Sequence, residues 1–269
     1  MAGFTSYDDI INETTANGKQ AVRPFWKVSS APEVAGQVVT LWKMAGLPGA
    51  GADAGGTPGI AYSSTAGGIV LQNEASDYKY LMRLEATANQ NCTLLVLDRL
   101  VSVSGLSIAA TGNQTVNSTA LTRYTDGVGV EALLELTTAT TANTAVISMN
   151  SYTDTADNTG NAGGSVTFAA AAQNIDSAFF LPLAAGDVGV KAVATINVAT
   201  AGTSGVVAVT LVKRLASIPL TANVGTVIDF TRGYPPMPRI YDGATLMLAI
   251  VAGGTAATTV QGAMTFGWG

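Results

Sequence analysis

The best-spaced pair of residues that could do acid–base chemistry is Glu131 and Glu135. In the stretch Glu131-Ala-Leu-Leu-Glu-Leu136 they share one face of an extended strand, about 13 Å apart at about 3.3 Å per residue. Glycosidase carboxyls stand closer, about 5–9.5 Å apart. Folding could bring Asp98, Asp229 or Asp242 up as a partner, so a hydrolase stays open as an alternative. Surface acids on a half-exposed strand are the simpler reading. Asp154, Asp157, Asn158 and Asn161 have the composition of a calcium loop. They lack its Asp-x-Asp-x-Asp-Gly spacing and its closing Glu, so a solvated hairpin tip is expected. The glycine-rich run Gly46 to Gly59 has no Gly-Lys-Ser/Thr ending and opens no helix, which removes a phosphate loop.

The absence of histidine excludes Ser-His-Asp and Cys-His nucleophile systems and any His-ligated metal. A single cysteine excludes an internal disulfide, a zinc ribbon and an iron–sulfur cluster. Cys92 opens an apolar run and reads as a small core residue. No catalytic residue, metal ligand or cofactor is assigned, and the chain is expected not to be an enzyme. Asn91, Asn113 and Asn117 each start a glycosylation-type triplet, which the absence of a secretory signal makes coincidental.

The remaining chemistry is contact chemistry. Arg23-Pro-Phe-Trp-Lys27 sets Phe25 and Trp26 between basic residues, in a chain only 7% aromatic. Arg232-Gly-Tyr-Pro-Pro-Met-Pro-Arg239 is a proline-fixed loop carrying Tyr234 and Met237 with an arginine at each end. With Phe4 and Tyr7 near the start, the interface candidates are Phe4, Tyr7, Arg23, Phe25, Trp26, Tyr234, Met237 and Arg239. Tyr, Trp, Met and Arg are the types enriched in interface centres. A plug over a sheet core is an equal account of either aromatic group.

The elements that position these residues are strands. Ser6-Tyr-Asp-Asp-Ile-Ile-Asn-Glu13 is the one helix signal: Ser6 caps, Asp8 and Asp9 suit the positive end, and Asn17-Gly18 stops it. Beyond it, Tyr80 to Ala86 alternates, with Met82, Leu84 and Ala86 on one face and Arg83 and Glu85 on the other. Thr93 to Val103 is an apolar run interrupted by Asp98-Arg99, and Ala132, Leu134 and Leu136 face inward with both glutamates outward. Thr144–Tyr152 and Ser165–Ala169 flank the polar loop as a hairpin. Val190, Ala192, Ala194, Ile196 and Val198 share a face, and Gly205 to Val212 reads as a sandwich interior. Thr245 to Ala252 reads as a strand buried on both faces, and the last strand carries Val260, Met264, Phe266 and Trp268 on one side. More than ten short strands predict an all-β fold, a jelly-roll-type β-sandwich with a short N-terminal helical arm. The expected divisions are an arm over 1–45, a flexible glycine-rich connection over 46–68 and the sandwich over 69–269. A split into two sandwiches near residue 130 has no linker to mark it.

Charge narrows the partners. Thirteen basic and 18 acidic residues leave a net charge of −5, and charged residues are 12% of the chain. An ordinary domain has roughly 25%. There is no basic footprint for nucleic acid. The longest apolar stretch is far short of the roughly 20 residues of a membrane-spanning helix. Met1 to Asp9 lacks the basic and apolar regions of a signal peptide, so synthesis in a cytoplasm is expected. So weakly charged a surface suits a subunit whose exterior is covered by other subunits.

Several segments, in order along nearly the whole chain, resemble a family of virion structural proteins of the head module of tailed bacteriophages. They are Phe4-Thr-Ser-Tyr-Asp-Asp-Ile-Ile11, Leu47-Pro-Gly-Ala-Gly51, Leu95-Val-Leu-Asp-Arg-Leu100 and Gln114-Thr-Val-Asn-Ser-Thr-Ala-Leu-Thr-Arg-Tyr-Thr-Asp-Gly127. Ala185-Gly-Asp-Val-Gly-Val190, Val212-Lys-Arg-Leu215 and Pro238-Arg-Ile-Tyr-Asp-Gly-Ala244 continue the series. The resemblance implies a capsid decoration or cement subunit, a homotrimer on the virion surface whose partners are its own copies and the major capsid protein. It transfers no catalytic residue. The alternative is a tail, fibre or neck module that binds a host-surface glycan through an exposed aromatic platform.

Overall fold

The computed structural model describes residues 3–74, 76–141, 144–168, 172–232 and 235–269. Ser6 has extended backbone, and its hydroxyl accepts the Asp9 N–H at 3.1 Å, which starts α1 (Tyr7–Ile11). A wider turn over Asn12–Ala16 follows, and Gly18, at φ +66°, ends it.

The strands in chain order are β1 (Gln20–Val28), β2 (Val38–Thr40), β3 (Gly46–Leu47), β4 (Ile60–Ala61), β5 (Lys79–Ala88), β6 (Cys92–Ser107) and β7 (Gly112–Thr115). They continue as β8 (Val130–Thr138), β9 (Val146–Asp154), β10 (Ser165–Thr167), β11 (Ser177–Phe180), β12 (Val190–Thr200) and β13 (Val206–Leu220). The series ends with β14 (Thr226–Asp229), β15 (Arg239–Ile240), β16 (Leu246–Ala252) and β17 (Thr259–Trp268).

They form three sheets. The first has the order β14-β5-β17-β1-β3, with β15 also on β5; the second, of four strands, runs β10-β9-β12-β7. The third runs β13-β8-β11-β2-β16-β6-β4, and β6 pairs back onto β13. Six of its strands therefore close into a ring. The long strands β6 and β13, 16 and 15 residues, are paired along their whole length and carry the architecture.

Two bulges let one pair of strands serve two cores. Leu100 is the extra residue where Leu211 pairs Val101 and Val212 pairs Arg99; Leu215 is the extra one on β13. A bulge inserts one residue and resets the alternation. The ring's outer face thus carries Leu94, Val96, Ile218 and Leu220 into a core beneath the first sheet, with Phe25, Leu84, Val260, Met264 and Phe266. Farther along, the same face carries Val101, Val103, Val209 and Leu211 into a second core with Ile147, Met149, Val193 and Ile196 of the four-stranded sheet. The ring's interior holds Leu95, Leu97, Leu133, Val212, Met247 and Ala249, with Trp42 and Tyr62 against them. Strand β16 is buried on both faces for this reason: Leu246, Leu248 and Ile250 face the first core, while Met247 and Ala249 face the ring interior.

The all-β class, the N-terminal helix, the hairpin of β9 and β10 and the doubly buried strand agree with the sequence reading, with Ala169 of the expected hairpin outside the described residues. Other expectations need correction. The jelly roll's two sheets are here three, one of them closed. The arm over 1–45 is no separate arm: β1 pairs β17 over nine consecutive residues, from Gln20↔Gly267 to Val28↔Thr259, and β2 is part of the ring. No boundary at residue 69 divides these sheets. Nor is 46–68 a loose connection. Gly46 pairs Lys27, and a Cβ on Gly51 would sit 2.1 Å from the Trp42 ring, so glycine serves close approach there rather than freedom. Of the face expected over 190–198, Val190, Ile196 and Val198 are buried, but bulges in the β12–β9 ladder bury Val193 in place of Ala192 and Ala194.

Candidate interaction surfaces

Charge burial fixes the ring. Asp98 accepts two hydrogen bonds from Arg123, Nε at 2.7 Å and Nη2 at 2.5 Å, and the Thr245 N–H at 3.1 Å. Arg123 also donates to the carbonyls of Tyr62 (2.6 Å) and Arg99 (2.8 Å), so one guanidinium ties three separate segments. Arg99 pairs with Glu135 at 2.8 Å, and its guanidinium lies over Trp42 (4.7 Å) and Tyr62 (4.9 Å). Thr210 donates to Glu135 and hydrogen-bonds Ser102 at 2.8 Å. Glu135 is therefore 3% exposed, where a solvent-facing acid was expected. Both glutamates do face away from Ala132, Leu134 and Leu136, but that side is the inside of a closed sheet. Glu131, nearer the open end, pairs with Arg214.

Each of the five acids in the hydrolase alternative is held by a partner. Besides Asp98, Glu131 and Glu135, Asp229 accepts from Thr231 and Asp242 pairs with Lys79 at 2.5 Å. Asp154 accepts the N–H groups of Ala156 and Asn158 and the Asn158 side chain, which closes its hairpin loop. These contacts hold its carboxyl below the ordinary range, the Asn158 side chain foremost. Among the described residues no group of three His, Cys, Asp or Glu could hold a metal ion. Cys92 is buried and unpaired, and burial pushes its thiol up to about 11. Among the described residues no helix is long and apolar enough to cross a membrane.

The eight interface candidates divide. Phe25 is 2% exposed and belongs to the first core, since β1 alternates and position 25 faces inward. Trp26, the next residue, faces out at 44%. Arg23 is exposed and donates to the Val22 carbonyl at 3.4 Å. Lys27, of the same motif, is buried, its Nζ donating to the carbonyls of Met44 (2.7 Å) and Gly49 (3.1 Å). Burial lowers it to about 8. Phe4 lies 5.6 Å from the Tyr80 ring, and exposed Tyr7 reaches Thr231 at 3.2 Å. Met237 packs, partly buried, against the first core. Tyr234 lies outside the described residues.

Two surfaces stand out. The first is the outer face of the first sheet. By register, Val227, Glu85, Ala263 and Pro24 form one cross-strand row, and Thr87, Gln261, Trp26 and Leu47 form the next. Val22, Trp26, Leu47 and Val227 keep 44–55% of their surface exposed. The charge on this face is the Arg83–Glu85 pair at 2.8 Å and Asp229 at its border. A groove of about 610 Å³ runs between Trp26, Leu47 and Val227.

The second is a cleft of about 610 Å³ where β5 and β15 meet the 122–126 loop. The Arg239 guanidinium lies between the rings of Tyr78 (3.6 Å) and Tyr241 (4.4 Å), and Tyr124 meets Tyr241 edge-on at 4.7 Å. Burial pushes the Tyr124 hydroxyl well above its ordinary range, with nearby Asp98 adding to the shift. Glu74, Asp77, Asp126 and Asp242 rim the cleft. Of these residues, sequence reading singled out Arg239 as an interface candidate and Asp242 as a hydrolase acid. The spacing Arg239-Ile-Tyr241 puts two of the stack on one strand face, a signal present in the sequence; Tyr78 and Tyr124 arrive from distant segments.

No family model matches the chain, and no curated protein matches it. Among solved structures, the infectious bursal disease virus VP2 subviral particle aligns at 9% identity, covering 96% of this chain and 85% of that chain, with a TM-score of 0.18. A TM-score this low carries no argument about fold or function.

Proposed function

We propose that the chain is a non-enzymatic structural subunit of a tailed-phage head. It acts as a decoration or cement subunit on the virion surface and joins its own copies and the major capsid protein. The observation that carries this reading is the outer face of the first sheet, where the exposed Val22, Trp26, Leu47 and Val227 stand around a groove with few charges. Contiguous apolar patches rimmed by polar residues mark interaction sites. A standard interface of about 1,600 Å² at about 25 cal/mol per Å² gives about 40 kcal/mol gross, most of it cancelled by association and ordering costs. A small surplus repeated at every joint of a shell resists its expansion. The edge of β1 favours face docking over strand addition: β3 covers Trp26 and Lys27 alone, and Pro24, which has no N–H to donate, interrupts the rest.

The test is mass spectrometry of purified particles of the phage that encodes the chain, followed by co-sedimentation of the recombinant chain with empty heads. Presence in the particle and co-sedimentation lost in Trp26→Asp are expected. Absence from the particle overturns the reading.

A further inference from the structure

We propose that the cleft formed by Tyr78, Tyr124, Tyr241 and Arg239 is a binding site for a neutral saccharide. Its volume, about 610 Å³, lies within the roughly 300–1,000 Å³ of small-molecule sites. The class of ligand follows from the cleft groups that have no protein partner and that a ligand displacing solvent would have to satisfy. The rings of Tyr78 and Tyr241 stack on the Arg239 guanidinium, at 3.6 Å and 4.4 Å to their centroids, which holds its planar set of N–H groups in place. Among the described residues none of them has a hydrogen-bond acceptor. The ligand must therefore offer acceptors. On the rim, the Glu74 carboxylate has no donor among the described residues, and Asp126 uses one oxygen, for the Val128 N–H. The ligand must therefore also offer donors.

Charge decides between the classes that meet one demand each. Glu74, Asp77, Asp126 and Asp242, with Glu13, which shares Lys19 with Asp77, face Arg239, Lys19 and Lys79, five negative charges against three positive. Arg123 is cancelled by Asp98. An anion would meet the rim carboxylates, and an ammonium or guanidinium would leave the Arg239 donors unpaired. Hydroxyl groups donate and accept together without charge. A sugar ring adds an apolar C–H face that suits the tyrosines, whose rings carry a negative face. The cleft shares no lining residue with the groove at Trp26, so this inference and the head-subunit reading stand or fall separately.

The test is saturation-transfer difference NMR on the full chain with glucose, galactose, mannose, N-acetylglucosamine and their common disaccharides. Transfer to at least one neutral sugar is expected. Arg239→Gln and Tyr241→Ala should weaken it about tenfold or more, the effect of losing hydrogen bonds from a charged group or a stacking ring. Glu74→Gln and Asp126→Asn touch rim residues without removing packing, and each should weaken binding several-fold while the melting curve stays unchanged. They decide the question if the stack variants unfold. No transfer from any neutral sugar overturns the proposal. So does equal transfer in Glu74→Gln and Asp126→Asn, or binding confined to N-acetylneuraminic acid or to an oligolysine peptide.

Discussion

Arg123 and Arg214 each pair with a carboxylate, yet their replacement should differ several-fold in cost. Arg123→Ala strands the buried Asp98 carboxylate and frees the Tyr62 and Arg99 carbonyls, and should cost about 3–5 kcal/mol. Arg214→Ala breaks a half-exposed pair with Glu131 and should cost no more than about 1 kcal/mol. Urea denaturation midpoints of the two variants check this contrast. Asp176 supplies a pH signature. It is 2% exposed, and burial, with Glu135 beside it, pushes its carboxyl up to about 7. The folded state therefore holds a proton that the unfolded chain releases near pH 4. Stability is highest below that value and falls as pH rises towards about 7, by about 4 kcal/mol at the upper limit. Asp176→Asn keeps an acceptor for the Lys43 N–H and tolerates the residue's φ of +67°. Melting temperatures at pH 5 and pH 8 should converge in that variant; an unchanged difference would contradict the assignment. Sequence reading located Asp98-Arg99 as an interruption in an apolar run but not its reason, because Arg123 approaches from the 122–126 loop and Glu135 from β8.

At the scale of elements, the strands were legible and the sides they bury were half legible. Alternation in β5 and β8 placed Arg83, Glu85, Glu131 and Glu135 opposite their apolar neighbours correctly. It could not tell water from the inside of a ring, since both take polar side chains when a partner is present. Bulges defeated it in the middle of β12, where Val193 is buried in place of Ala192 and Ala194, and further shifts bring Ile196 and Val198 back to the expected face. The glycine-rich segment misled for a related reason: glycine signals either freedom or close approach, and the Trp42 ring decides for approach. Gly51→Ala should force the Trp42 indole from its place, where its Nε1 donates to the Ala52 carbonyl at 2.8 Å. A loss of about 1–3 kcal/mol is expected from such overpacking, together with a change in tryptophan emission. An unperturbed melting curve would show that the segment yields.

At the scale of the whole molecule, two cores hang on one pair of long strands, and β1 and β17, far apart in sequence, are neighbours. Composition foretold a neutral exterior, and four of its exposed large apolar residues, Val22, Trp26, Leu47 and Val227, share the outer face of the first sheet. A face that meets its own copy gives a two-fold pair, whereas a trimer joins two different patches. Trp26 lies on this face beside the β3 edge, 44% exposed, and a charge placed there would be costly once the face is covered. Light scattering of the full chain across a range of concentrations, beside Trp26→Asp, tests the account most directly. The account predicts a mass that is a multiple of 27.2 kDa for the native chain and 27.2 kDa for the variant. A native chain that stays at 27.2 kDa at every concentration would contradict it.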